Sequence, residues 1–181
     1  MELTLQGLKQ TDGWKQAGYS LPEYDIPAVA ARTRENPRWI HFGAGNIFRA
    51  FQANVAQELL NRGILDTGLI AAEGYDYEII EKMYRPHDNL SILATLKADG
   101  TVEKTVVGSI VESLILDSAD PQEYGRLKEI FRAPSLQMAS FTITEKGYSL
   151  TDGKGETLAD IAWDFTHGPQ SPKSYLGKVS S

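Results

Sequence analysis

One run, Arg38-Trp-Ile-His-Phe-Gly43-Ala-Gly45-Asn-Ile-Phe-Arg49-Ala-Phe51, constrains the fold more than any other stretch of the sequence. Trp39, Ile40 and Phe42 make an apolar strand, and two glycines follow before a helical pattern begins. Ile47, Phe51, Val55 and Leu59 recur every fourth residue, the spacing of one helix face, and are expected to form its apolar side. Glycines between strand and helix permit a tight turn and a close approach of backbone to a ligand. The unpaired N–H groups of the first helical turn, together with the helix dipole, suit a diphosphate. In the Gly-x-Gly-x-x-Gly form of such a turn the third glycine lets the helix pack closely on the strand. Phe48 holds that position here, so the helix must stand off or tilt. The candidate cofactor-binding residues of the turn are Gly43, Ala44, Gly45, Asn46, Ile47, Phe48 and Arg49.

Downstream, Asn61-Arg-Gly63 has the form of a helix C-cap with glycine in the left-handed position. Gly68-Leu-Ile-Ala-Ala-Glu73 then reads as a second, buried parallel strand ending in a carboxylate. An acidic residue at that point of a Rossmann unit hydrogen-bonds the adenosine ribose. Glu73 is the first candidate and Asp76 the second, and a carboxylate there repels a 2′-phosphate, which favours NAD over NADP. The competing reading makes one of them a cap for the following helix. A methyltransferase using S-adenosylmethionine also pairs a glycine turn with such an acid, and a non-catalytic nucleotide-binding module is a third possibility.

Beyond Glu73, the residues from Tyr75 to Arg85 predict a short helix with Ile79, Ile80 and Met83 inward, ended by Pro86. Asn89 to Lys97 and Thr101 to Val107 flank Asp99-Gly100, a strong hairpin signal. Gly108 to Asp117 continues in extended form, and Ser118 to Arg132 is a helix burying Tyr124, Leu127, Ile130 and Phe131. Leu136 to Thr144 is expected as a further buried strand. The fold class is therefore α/β: a Rossmann-like, doubly wound, mainly parallel sheet with an inserted β-hairpin, spanning residues 38–181. Residues 1–37 form an arm punctuated by turn signals at Thr11-Asp-Gly13, Leu21-Pro22, Ile26-Pro27 and Asn36-Pro37, with a short helix capped by Asp25. From Leu150 onward the chain reads as polar, glycine-rich loop until a final helix begins near Ser171.

Composition excludes several classes. A net charge of −6 argues against nucleic acid as a partner, since phosphate-backbone binding needs a basic face. There is no cysteine, so neither a disulfide nor a thiolate site is available. His41, His87 and His167 have no metal-ligand spacing, and no metal site is expected. No apolar run approaches the roughly 20 residues that span a bilayer. The first residues lack the features of a signal peptide, and a soluble cytoplasmic protein is the expectation.

Three strings carry a family likeness: Ile40 to Gln52, Tyr84-Arg-Pro-His-Asp-Asn-Leu90, and Thr142-Ile-Thr-Glu-Lys-Gly-Tyr148. They resemble the polyol-specific long-chain dehydrogenases, which include mannitol 2-dehydrogenase, fructuronate reductase and tagaturonate reductase. The family also has a bulky residue at the Phe48 position, whereas the histidine it commonly carries at position 51 is Phe51 here. The resemblance implies NAD as cofactor and hydride exchange with a secondary alcohol, D-mannonate/D-fructuronate ahead of mannitol/fructose. It places the backbone around Thr144 beside the nicotinamide and Glu145 next to the active site. The family's catalytic lysine and its partners lie in a C-terminal helical domain that has no counterpart here. The sequence therefore reads as a truncated piece, able to hold NAD but expected to be inactive alone.

Overall fold

Burial alternates along the central strand: Ile70 and Ala72 face one apolar cluster while Leu69 and Ala71 face another. A strand with both faces covered belongs inside a layered α/β fold. The computed structural model describes residues 1–180, apart from the side chains of Glu145 and Lys146. Its elements run α1 (Leu5–Leu8), α2 (Thr11–Gln16), β1 (Tyr19–Ser20), α3 (Ile26–Glu35), β2 (Trp39–Phe42), α4 (Ala53–Asn61, preceded by a π-helical segment Phe48–Gln52), β3 (Leu69–Glu73) and α5 (Tyr77–Ile79). After α5 come a π-helical segment Ile80–Tyr84 and a 3-10 turn Arg85–His87, then β4 (Ser91–Leu96), β5 (Val102–Val107), β6 (Ile110–Ile115), α6 (Pro121–Arg132), β7 (Met138–Phe141), a 3-10 turn Glu145–Tyr148, α7 (Ala159–His167) and α8 (Tyr175–Ser180).

β2, β3, β6 and β7 form a parallel sheet in the order β6-β3-β2-β7. Ala53 and Ala56 of α4 lie in the cluster on one face and α6 supplies the other, so the sheet is doubly wound. The order reverses between β2 and β7, and the crevice at the carboxyl ends of those two strands is where ligands bind in open α/β sheets.

The hairpin forms as expected, with Gly100 at φ +84° and the Asp99 carboxylate accepting from Thr101 N and Oγ1. It is not inserted into the main sheet. β4 and β5 build a second sheet with β1, which runs parallel to β5, so the arm contributes a strand to it. Thr11-Asp-Gly13 opens a helix rather than a turn, because Trp14 is drawn into a cluster with Ile26, Leu90 and Val106. Gln57 of α4 knits these parts together: its Nε2 donates to Val106 O, and its Oε1 accepts from Gly108 N and the Tyr24 hydroxyl.

The first long helix differs from its periodicity. Ile47 (70% exposed), Phe51 (67%) and Val55 lie on its outer side, while Phe48, Ala53, Ala56, Gln57 and Leu60 are buried. The π-helical segment Phe48–Gln52 widens the helix where Phe48 enters the core. That is how the chain accommodates a bulky residue at the third-glycine position. The widened turn also offsets the register, so a pattern counted at four-residue steps selects the wrong face. A second π-helical segment, Ile80–Tyr84, has the same effect: Tyr84 is buried in place of Met83. Gly63 (φ +66°) closes α4, with Gly63 N and Ile64 N bonded to Leu60 O and Leu59 O.

α6 buries Tyr124, Leu127 and Ile130 as expected, but Phe131 is half-exposed. β7 is an edge strand among the described residues and not a buried one, with Met138 and Phe141 each about two-fifths exposed and Phe141 stacked on Phe42. The stretch after Leu150 is not all loop, since α7 forms there and buries Ile161. No helix is long and apolar enough to cross a membrane among the described residues.

Candidate functional site

β2 delivers Phe42 to the switch point, where Gly43 N bonds to Ala72 O of β3 and Thr142 N bonds to Phe42 O. The two glycines of the turn answer to different demands. Gly43 adopts φ +106°, and a Cβ there would stand 2.6 Å from Thr142 O. Its identity is dictated by the chain itself. Gly45 has no positive φ and no protein atom within 4 Å of an added Cβ. Nothing in the polypeptide requires glycine at that position, and the space before it is open.

Glu73, at the end of β3, folds back on the turn. Its Oε2 accepts from Ala44 N at 2.8 Å, and its Oε1 accepts from Tyr75 N at 2.9 Å and Asp76 N at 3.3 Å. The Ala44 amide is thereby taken by the protein. The amides of Gly45 and of the start of the helix make no backbone hydrogen bond among the described residues, having no helical carbonyl four residues back to bond. Each carboxylate oxygen carries two lone pairs, so Oε2 keeps one acceptor position. Asp76 is exposed and makes no capping hydrogen bond through its side chain. Of the two acids it is the unencumbered one.

The turn is braced from below by Tyr84, whose hydroxyl donates to Ala44 O at 2.8 Å. Burial pushes the Tyr84 phenol well above its usual range, so it remains a donor throughout the ordinary pH range. Arg49 extends over the Tyr84 ring at 5.7 Å and donates to Asn46 Oδ1, while its buried Nε makes no hydrogen bond. Asn46, Arg49, His87 and Ser91 line a cavity of about 420 Å³ beside the turn. On the other side Tyr175 of α8 packs over Gly74, and Lys178 Nζ donates to Gly74 O and the Tyr77 hydroxyl.

His41 lies beside this turn, a placement the sequence did not reveal. It is fully buried on β2, stacked on Phe48 with ring centroids 3.9 Å apart. Its Nδ1 lies 2.7 Å from Ser140 Oγ and its Nε2 lies 2.9 Å from Thr142 Oγ1. Burial pushes its pKa down to about 4, so the ring is neutral at physiological pH. These partners lie 99 and 101 residues along the chain, so no local spacing reveals them. Thr144 follows Thr142 in the exposed loop after β7. The side chain of Glu145 lies outside the described residues. No group of three or more His, Cys, Asp or Glu side chains is placed to hold a metal among the described residues.

No family model matches the chain. Over all 181 residues it is 46% identical to the D-mannonate oxidoreductase of Thermotoga maritima, of which it covers 33%. It is 29% identical over 170 residues to the polyol:NADP oxidoreductase of Gluconobacter oxydans, covering 90% of this chain and 32% of that one. Among solved structures it superposes, with a TM-score of 0.75 and 27% identity, on mannitol 2-dehydrogenase of Pseudomonas fluorescens in a ternary complex with NAD and D-mannitol. That match covers 99% of this chain and 34% of the other. The chain thus spans about a third of the length of the relatives it matches.

Proposed function

Because the chain belongs to the polyol-specific long-chain dehydrogenase family, we propose that it holds the nicotinamide dinucleotide of an oxidoreductase acting on a sugar acid or polyol. D-mannonate/D-fructuronate is the favoured substrate pair and mannitol/fructose the next. The observation that carries this reading is Gly45: a residue without a side chain, at the switch point, where no protein atom demands its smallness. A ligand that must reach the backbone supplies the demand.

The donor set fits NAD. The N–H groups of Gly45, Asn46 and Ile47, at the positive end of the helix, would take the diphosphate, with Phe48 and Arg49 completing that first turn. Asp76 would take the ribose hydroxyls, joined by the remaining lone pair of Glu73, while Gly43 and Ala44 hold the turn in shape. Two carboxylates near the ribose favour NAD over NADP, whose extra phosphate they repel. Thr144, and Glu145 beyond it, would border the nicotinamide. Bound NAD supplies the hydride acceptor for oxidation of a secondary alcohol. The residues of this chain would bind and orient it. A group to accept the hydroxyl proton is not provided by the turn, and the chain alone is expected to bind cofactor without turning over substrate.

The test is a fluorescence titration of the 181-residue chain with NADH, with S-adenosylmethionine as the competing ligand. Saturable NADH binding that Gly45→Val weakens at least about tenfold, with the fold intact, supports the reading. Binding of S-adenosylmethionine in preference to NADH, or no effect of Gly45→Val, overturns it.

A further inference from the structure

The polar chain beneath the turn is continuous. Trp39 Nε1 donates to Ser140 Oγ at 2.7 Å, Ser140 Oγ meets His41 Nδ1, His41 Nε2 meets Thr142 Oγ1, and Thr142 Oγ1 donates to Gly43 O at 3.4 Å. One assignment of protons leaves no donor without an acceptor. Ser140 donates to Nδ1, the Nε2 proton goes to Thr142, and the Thr142 proton goes to Gly43 O. With the proton on Nδ1 instead, the half-buried Ser140 hydroxyl would find no acceptor among these groups and would turn to solvent. In the first assignment the contacts connect the edge strand β7 and the start of β2 to the carbonyl of the first glycine.

We infer that His41 is a positioning residue for the nucleotide turn: a neutral imidazole that pins the carboxyl ends of β2 and β7 to one another and fixes Gly43, so that the amides after it face the diphosphate. The inference rests on the nucleotide reading above. It follows from three features together. Gly43 approaches Thr142 so closely that a Cβ would collide with it, so the two strand ends share a single register. His41 contacts Ser140 and Thr142, which stand two residues apart on the same side of the edge strand, so one ring sets the spacing of both. Phe48, the first residue of the π-helical segment, stacks on the face of the ring at an interplanar angle of 5°. The ring thus also sets how the helix, and its N–H groups, stand over the strand. None of these contacts uses a residue assigned to the ligand through its side chain.

The test pairs two readouts on Thr142→Val, Thr142→Ser, His41→Phe and the double variant His41→Phe/Thr142→Val. The first is amide hydrogen exchange without ligand. Gly43 N and Ala44 N, both hydrogen-bonded, should exchange at least about fivefold faster in T142V and H41F, while the amides of α6 keep their rates. The second is NADH affinity, which should fall at least about fivefold in T142V and H41F and be restored by T142S to within about twofold. The double variant should be no weaker than the weaker single, since both cut one connection. Unchanged exchange at Gly43 and Ala44 in folded T142V overturns the inference, as does a double variant whose loss is the product of the singles. If the unaltered chain binds no NADH, the nucleotide reading falls, and the exchange rates alone decide whether His41 holds the turn.

Discussion

The backbone amide of Ala44 donates to Oε2 of Glu73 across 2.8 Å, joining the turn after β2 to the end of β3. The acid that the motif assigns to a ligand is thus also a structural strut, charge-assisted and nearly out of solvent. Replacing Glu73 by Ala strands the amides of Ala44, Tyr75 and Asp76. Loss of such partners is expected to lower stability by about 2–3 kcal/mol, read by urea denaturation. A change of less than about 0.5 kcal/mol would refute the strut.

Asp76 separates the two roles. Its carboxylate is exposed and caps nothing, so Asp76→Ala should leave stability within about 0.5 kcal/mol of the parent. NADH affinity should nonetheless fall several-fold, and NADPH affinity should rise as a negative charge leaves the ribose end. Parallel titrations with the two cofactors measure both. Equal losses for NADH and NADPH would remove Asp76 from the ribose site.

Gly43 and Gly45 should diverge in the opposite sense. Gly43→Ala forces a side chain into a backbone at φ +106° and against Thr142 O, and is expected to cost about 2 kcal/mol or more in thermal or chemical unfolding. Gly45→Ala meets open space and should alter stability by less than about 1 kcal/mol. A similar cost at both positions would contradict the division of labour.

His41 makes stability pH-dependent. Its pKa is about 4 in the folded chain against 6.5 as an ordinary imidazole, so the unfolded chain binds more protons between those values. Its contribution is complete above about pH 6.5 and is lost as the pH falls toward 4, by about 3 kcal/mol in all. Urea unfolding from pH 7.5 to 4.5 should show that slope, and His41→Gln should flatten it.

Gln57 offers a test of the buried link between α4 and the second sheet. Gln57→Leu keeps the volume but orphans Val106 O and Gly108 N, and should cost about 2–4 kcal/mol in unfolding free energy. The wild-type stability in Gln57→Leu would show that those backbone groups find other partners.

Much of the local architecture around the candidate site was legible because it is contiguous in the chain. The strand, the two glycines, the C-cap at Gly63 and the acid at Glu73 lie within one β-α-β stretch, where spacing along the chain translates into spacing in the fold. The buried faces at Phe48 and Tyr84 were not legible, because periodicity arguments assume 3.6 residues per turn and both segments are π-helical. His41 escaped for a different reason. Its partners come from β7, and a side chain whose purpose is set by a strand so distant in sequence looks, from its neighbours alone, like any lone histidine. Likewise the turn signal at Thr11-Asp-Gly13 gave way to a helix, because tertiary burial of Trp14 overrode it.

The two margins of the main sheet are unequally guarded. Along β6 the carboxylate of Glu123 occupies the Ile115 amide, and Arg126 grips Glu112 with two nitrogens, so an incoming strand would first have to dislodge them. On β7, Met138 and Phe141 are each about two-fifths exposed, and no strand pairs with its outer edge among the described residues. β7 is also the strand whose Ser140 and Thr142 meet His41, so the open margin and the glycine turn are joined through one ring.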